Sequence, residues 1–452
     1  MPSISSAGIG SGLDVQSIVS QLMAIERQPL QRLQFKQSQL ETQISAYGKL
    51  SSTLSTFQDA MDKLGTVSAL KVYKTASTNE DVITATASSD AEVGTFGVEV
   101  VRLAQQHKMA SKELASTDTF GGTAGDALHI QVGADVADTI TIDLSTAKTL
   151  AEIRDVINDD VNNPGVSATI INGDNGNQKL ILTSKDSGAD SALTLTKSGG
   201  VKLKDFDFLT VNDTGDDTSL LDAEVVVDGY SITRATNTIS NIISGVTLNL
   251  LDSDPGNTYT ISIQRDLESV KESVQGFADA FNELRSSFKS LRNGELEADS
   301  SLLSLERQVF SVLNNPASGG VYSMLTEVGL RMQKDGTMTL DSSDLEAALQ
   351  SEFDGVAQLF AADTQGFANR LSNIADTWLG SGGLLESRTD GLESRIDTLE
   401  DRQVSFERNL DMVEARYLAQ FSALDALVGQ LQGTGQFLTQ QLASLPGANQ
   451  NR

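Results

Sequence analysis

Cysteine is absent from this 452-residue chain, and histidine occurs only as His107 and His129. Without thiols there are no disulfides, thiolate metal ligands or cysteine nucleophiles, and two histidines leave little for zinc chemistry. Positive charge is scarce: 33 Lys and Arg against 61 Asp and Glu give a formal net charge of -28. No basic run offsets it, so nucleic acid and anionic lipid would repel the chain. Nor is there an apolar stretch long enough to span a bilayer. The opening Met1-Pro2-Ser3-Ile4-Ser5-Ser6-Ala7-Gly8 has neither the basic nor the apolar region of a secretory signal peptide. Taken alone, this reads as a cytoplasmic protein, or one exported by a route that cleaves no signal.

What is present is a soluble composition, 39% hydrophobic and 21% charged, in a chain long enough for several domains. Gly8-Ile9-Gly10-Ser11-Gly12 precedes a helical pattern through Ile18, Leu22 and Ile25, which Pro29 should kink or interrupt. Leu33, Leu40, Tyr47, Leu54 and Met61 then recur at heptad spacing, joined by Leu50, Phe57 and Leu64, while Lys36 and Gln43 hold the equivalent earlier positions. The seam grows more apolar toward the middle of the protein.

From about Val72 the text changes to short alternating runs separated by Gly, Asn and Asp, which predicts strands and turns. Phe96, Val98 and Val100 alternate in one run. Asp228-Gly229 predicts a two-residue type I′ hairpin, because both central residues need positive φ. Leu150, Ile153, Ile157 and Val161 predict one helix among the strands, followed by strands at Val166–Ile170 and Lys179–Thr183. Helical spacing returns with Val270, Val274, Phe277, Phe281, Leu284, Phe288 and Leu291. A hairpin around Asp335-Gly336 leads into Ser343-Asp344-Leu345-Glu346, a predicted capping box, and a helix through Leu349, Phe353 and Val356. The last long pattern has a seam of Leu385, Leu392, Leu399, Phe406, Val413 and Leu427. Gln420 takes one place in that seam, and beside it runs a second seam of Ile396, Leu410, Tyr417, Leu424 and Leu431, with Thr389 and Gln403 as polar members. After Leu445 the tail is expected to be disordered.

The predicted fold class is therefore α+β multidomain: a discontinuous helical bundle or coiled-coil leg from both chain ends, with nested β-rich domains inserted between them. Boundaries follow the changes of period. Terminal helical segments occupy 1–40 and 405–452, the bundle 41–75 and 267–404, an outer β module 76–112 and 224–266, and an inner β module 113–223. Polar interruptions make isolated outer helices marginal, so the terminal segments are expected to be disordered when free and to gain order on partners.

No chemistry stands out. Gly8–Gly12 lacks the Lys of a phosphate loop and the spacing of a nucleophile elbow. The acidic turns at Asp174, Asp216-Asp217 and Asp252-Asp254 do not reproduce a calcium loop and read as solvated turns. Neither histidine has Ser or Asp at a diagnostic spacing, and nothing selects a pair of carboxylates. No catalytic residue, metal or cofactor is expected.

The opening Ile4-Ser5-Ser6-Ala7-Gly8-Ile9-Gly10-Ser11-Gly12-Leu13-Asp14-Val15, with Ile18-Val19, Leu22-Met23, Glu26 and Pro29-Leu30, resembles the flagellar hook-associated protein 2 family, the bacterial filament caps. Leu150–Leu182 resembles a small motif shared by flagellins and their relatives, and Asn237–Leu248 and Leu325–Leu340 resemble further family blocks. The resemblance implies unfolded export by the flagellar type III route, without a cleaved signal peptide, to the distal filament tip outside the cell. There a ring, a pentamer or hexamer, would retain flagellin and promote its folding and insertion. Implied partners are further copies of the chain, flagellin, hook-filament junction proteins and an export chaperone. Self-assembly and filament contact would fall on Leu13, Ile18, Leu22, Ile25, Leu33 and Leu40. The carboxy-terminal helix, with Leu410, Val413, Tyr417, Leu424, Leu427 and Leu431, would meet the assembly and the chaperone. Some relatives act as mucosal adhesins, which makes a secreted adhesin binding through the β modules the alternative.

Overall fold

A computed structural model of the chain describes residues 14–174, 176–199, 207–212 and 214–443. The chain divides into two compact units, one from 1–67 with 271–452 and one from 68–270. Both chain ends thus build a single helical unit, with the β-rich unit inserted between them, as the change of period predicts.

The helices, in chain order, are α1 (Val15–Glu26), α2 (Gln28–Asp62), α3 (Val67–Leu70), α4 (Leu150–Asp159), α5 (Leu267–Arg292), α6 (Ser300–Asn314), α7 (Ser342–Ala361), α8 (Phe367–Leu379) and α9 (Leu384–Ala443). Arg27 separates α1 from α2, and Pro29 sits in the first turn of α2, where its missing N–H costs no helical hydrogen bond. The heptad residues behave as a core. Tyr47, Leu50, Leu54, Phe57, Met61 and Leu64 are buried along α2, and Val270, Val274, Phe277, Phe281, Leu284, Phe288 and Leu291 along α5. Rings lock the center: Phe57 stacks on Phe277 at 5.8 Å between centroids, Phe281 meets Phe310 edge-on at 5.8 Å, and Phe277 meets Phe360 edge-on at 6.2 Å. Four helices thereby share one aromatic contact set.

Two polar ties fix this unit's register. Tyr47 donates its hydroxyl to Asp299 at 2.8 Å, and Asp299 also caps α6 by accepting from the amides of Ser301 and Leu302. Burial first, and the adjoining carboxylate second, push the Tyr47 phenol up to about 12. Asn282 of α5 holds the hairpin strand Met338–Leu340 through paired bonds to the backbone of Met338, at 2.8 and 2.7 Å. The hairpin turns at Gly336, whose φ is +80°. The cap of α7 differs from expectation. Asp341, not Ser343, is the N-cap and accepts from the amides of Ser343 and Asp344 and from the Ser343 hydroxyl. A carboxylate accepts several donors and carries the charge a helix N-terminus favors, so it displaces the serine.

In the β-rich unit a five-stranded antiparallel sheet runs in the order Tyr73–Ser77, Tyr259–Arg265, Gly94–Arg102, Ala223–Val227, Tyr230–Arg234. It shares a core with a second sheet of Thr238–Ser240, Val246–Leu250 and Ile83–Ala87. Val98 and Val100 point into that core, as their alternation predicts. The Asp228-Gly229 turn has φ of +46° and +88°, both positive as a type I′ turn requires. Asp228 also accepts from the Gly97 amide at 2.8 Å, tying the turn to the neighboring strand.

A separate inner core gathers Leu128, Ile130, Ile140, Ile142, Leu180 and Leu182 under the buried face of α4, formed by Leu150, Ile153 and Ile157. Val161 does not extend that face and is 95% exposed. Pro164 disfavors helix at Asn163, and the Asn163 side chain donates to the carbonyl of Ile157, satisfying a helix end that already stops at Asp159. The inner module consists of a sheet of Val166–Asn172, Asn177–Ser187, Gln106–Ser111 and Phe208–Thr210 and a second sheet of Leu193–Ser198, Ala127–Val132 and Thr139–Asp143. Strand Gln106–Ser111 therefore belongs to the inner module by hydrogen bonding, although the change of composition places it in the outer one. Composition cannot report which strand pairs with which.

Candidate functional site

The expected assembly residues lie on α1, α2 and α9. Asp14 starts α1 by accepting from the Ser17 amide at 3.0 Å, and the helix then buries Val15, Val19 and Met23 against Leu410 of α9. Leu30, Phe406, Val413, Tyr417 and Phe421 flank that small core. Tyr417 donates to Glu26 at 3.1 Å, and farther along, Gln403 donates to Gln37 at 2.7 Å while Gln37 donates to Glu400 at 3.0 Å. Gln403, a polar member of the α9 seams, is thus matched by Gln37 rather than by Lys36 or Gln43. The Arg27–Glu414 pair at 3.6 Å is exposed and contributes little.

The predicted residues separate into groups. Leu40 and Leu410 are buried, and Ile18, Leu22, Leu33, Val413 and Tyr417 are half-buried. Ile25 is 62% exposed, and Leu424, Leu427 and Leu431 are exposed as well. Leu13 and the Gly8–Gly12 segment lie outside the described residues, as does the tail after Leu445.

The buried row Val15, Val19 and Met23 is one that sequence spacing did not single out. Two rows of apolar residues at helical spacing run along the twelve residues of α1, and only contact with α9 distinguishes them. A second feature is plainer in retrospect. Asp425 is the only charged residue from Tyr417 to Leu445, whereas the preceding part of α9 is densely charged. Along this charge-poor stretch Leu424, Leu427, Leu431, Phe437, Leu438 and Leu442 are all exposed.

Among the described residues, no comparable arrangement of reactive groups accompanies it. Asp217 accepts from the amide and hydroxyl of Ser219, and Asp254 accepts from Asn257 and the Tyr259 hydroxyl; both carboxyls are held below the usual range by those bonds. These are turn-forming acids. His129 contacts the hydroxyls of Thr141 and Ser198. Among the described residues no group of three or more His, Cys, Asp or Glu is placed to hold a metal, and no helix is long and apolar enough to cross a membrane.

Comparison with known proteins agrees with this distribution of features. Residues 11–107 match the family model described as Flagellar hook-associated protein 2 N-terminus, 221–433 the corresponding C-terminus, and 127–186 the Flagellin hook IN motif. The chain is 34% identical to flagellar hook-associated protein 2 of Escherichia coli K12, over 98% of each chain. It is 32% identical to the A-type flagellar hook-associated protein 2 of Pseudomonas aeruginosa, over 97% of each. The crystal structure of the D1-D2-D3 domains of the flagellar cap protein FliD from Escherichia coli superimposes with a TM-score of 0.67 at 31% identity, covering 77% of this chain and 99% of that one.

Proposed function

This chain belongs to the flagellar hook-associated protein 2 family of filament caps, and from that premise we propose that its copies close into a ring at the distal tip of the flagellum. The ring retains flagellin and promotes its folding and insertion as the filament lengthens. It acts as a scaffold and carries out no chemical reaction. Copies reach the tip by type III export without a cleaved signal, and the carboxy-terminal helix is covered by an export chaperone beforehand.

The observation that carries this reading is the exposed, nearly uncharged apolar face of α9 around Leu424, Leu427 and Leu431. Apolar side chains left in water on a helix favor covering by a partner. In a chain of net charge -28, a segment with so little charge also lets copies or filament subunits approach without like-charge repulsion. Ile18, Leu22, Ile25 and Leu33 offer a second contact row on α1 and α2, against the filament or the hook-filament junction. Leu40 and Leu410, being buried, hold the two ends together. Among the described residues four side chains form the buried core where α1 meets α9, a small core, so the terminal segments gain order when partners cover them. The relatives are described as hook-associated and cap proteins, which favors the cap over the adhesin.

Replacing Leu424, Leu427 and Leu431 together by Ser tests the reading. Cells carrying the triple variant should secrete flagellin monomer into the medium and build few or short filaments, while the purified variant keeps its β-rich unit. Normal filaments with no leaked flagellin would refute the assignment of assembly to this face.

A further inference from the structure

His107 is the most buried ionizable ring in the β-rich unit, 3% exposed on strand Gln106–Ser111. Its Nδ1 accepts from the backbone amide of Leu193 at 2.8 Å, so in the neutral ring the proton sits on Nε2, 3.3 Å from the Thr210 hydroxyl. The His107 amide donates to Ser184 Oγ at 2.9 Å, and that hydroxyl donates to the carbonyl of Asp186. These partners span the module. Ser184 and Thr210 stand on strands of the same sheet as His107, whereas Leu193 opens a strand of the other sheet and carries its side chain into the inner core.

We propose that His107 is an acid-sensitive latch between the two sheets of the inner β module: neutral, it holds strand Leu193–Ser198 in place, and protonated, it releases that strand.

Protonation places a hydrogen on Nδ1, where the Leu193 N–H already points. Two donors then face each other, and the Leu193 amide loses its His107 acceptor as a buried charge appears. Among the described residues no carboxylate is hydrogen-bonded to the ring. Ser184 of strand Asn177–Ser187 is held by the His107 backbone amide, while the ring itself meets Thr210 of Phe208–Thr210 and the Leu193 amide of Leu193–Ser198. Lys185 and Asp186 beside Ser184, Asp190 before Leu193 and Lys108 on the ring's own strand are exposed, and Asp207 beside Thr210 is paired with Lys112 and Lys197. Burial alone lowers the basicity of His107 from its ordinary 6.5. The unfolded or opened strand therefore takes up the proton first. Stability from this group is complete above about pH 6.5 and is lost as pH falls below it toward the folded value.

The chain's two histidines make the test direct. In the full-length protein with ¹³C-labeled histidine, His129→Gln leaves one ring to titrate by NMR, and hydrogen exchange follows the Leu193 amide. Expected are a His107 midpoint below 6.5 and an opening constant at Leu193, corrected for intrinsic exchange, that rises toward tenfold per pH unit between about 6.5 and 5.5. His107→Asn retains an acceptor near the Nδ1 position but cannot titrate, so it should remove the pH dependence in this window. A wild-type ring that titrates at or above 6.5, or equal Leu193 protection at pH 7.5 and 5.5, overturns the latch. These two measurements, made with His107 intact, stand even if the His107→Asn variant folds poorly.

Discussion

Along α2, Tyr47, Leu50, Leu54, Phe57, Met61 and Leu64 are buried in a ring-rich core; along the last turns of α9, Leu424, Leu427, Leu431, Phe437, Leu438 and Leu442 face solvent. Both stretches belong to the same helical unit and both repeat apolar residues at helical spacing. What differs is what surrounds the repeat. The α2 seam faces α5, which supplies its own unbroken row and four phenylalanine contacts through Phe277 and Phe281. Among the described residues, the end of α9 has α1 beside it as far as the small core at Val15, Val19 and Met23. An apolar repeat within one chain thus contributes stability where a second row exists to receive it, and is available to partners where none does.

Mutations can break or sharpen this contrast. Phe281→Ala in the bundle should destabilize the helical unit by about 3–5 kcal/mol in urea unfolding, because it removes a ring and leaves a cavity between Phe57 and Phe310. Leu410→Ala stands between the two regimes. It should cost about 2 kcal/mol, confined to the α1–α9 contact, and would be seen as faster amide exchange in α1 with the bundle amides unchanged. Equal loss of protection through the bundle would show that the ends and the core form one cooperative unit.

Tyr47→Phe should cost about 1–2 kcal/mol at neutral pH, since it leaves Asp299 without its phenol donor. The folded state holds the Tyr47 proton more tightly than the unfolded state does, about 12 against an ordinary 10.0. Its contribution is therefore present below pH 10 and lost as pH rises from 10 to 12. A Phe variant should lack that part of the alkaline decline, which thermal melts at pH 9 and 11 would register. At the small end, Leu427→Ala should change the stability of the free chain by no more than about 0.5 kcal/mol. A loss above about 2 kcal/mol would mean that the free chain itself buries this residue, and the contrast with α2 would fail.

Most of the architecture was readable where local rules suffice. The unbroken row from Val270 to Leu291 admits one buried face, and Asp228-Gly229 admits one common hairpin turn, because its φ values exclude most other residue pairs. The candidate site was readable less completely. Leu424, Leu427 and Leu431 follow from seam spacing, but their exposure depends on where α1 ends beside α9, which no periodicity encodes.

The sequence by itself determined the period of each segment, the sign and scarcity of its charge, and the turns whose backbone only particular residues tolerate. These depend on the sterics and solvation of residues close together in the chain. Only tertiary structure decided that Val15, Val19 and Met23 rather than Ile18, Leu22 and Ile25 are buried on α1, and that the strand holding His107 pairs within the inner module. It also selected Asp341 over Ser343 as the cap of α7. Each of these is a choice between two locally acceptable options, settled by contacts with distant residues or by competition for the same backbone donors.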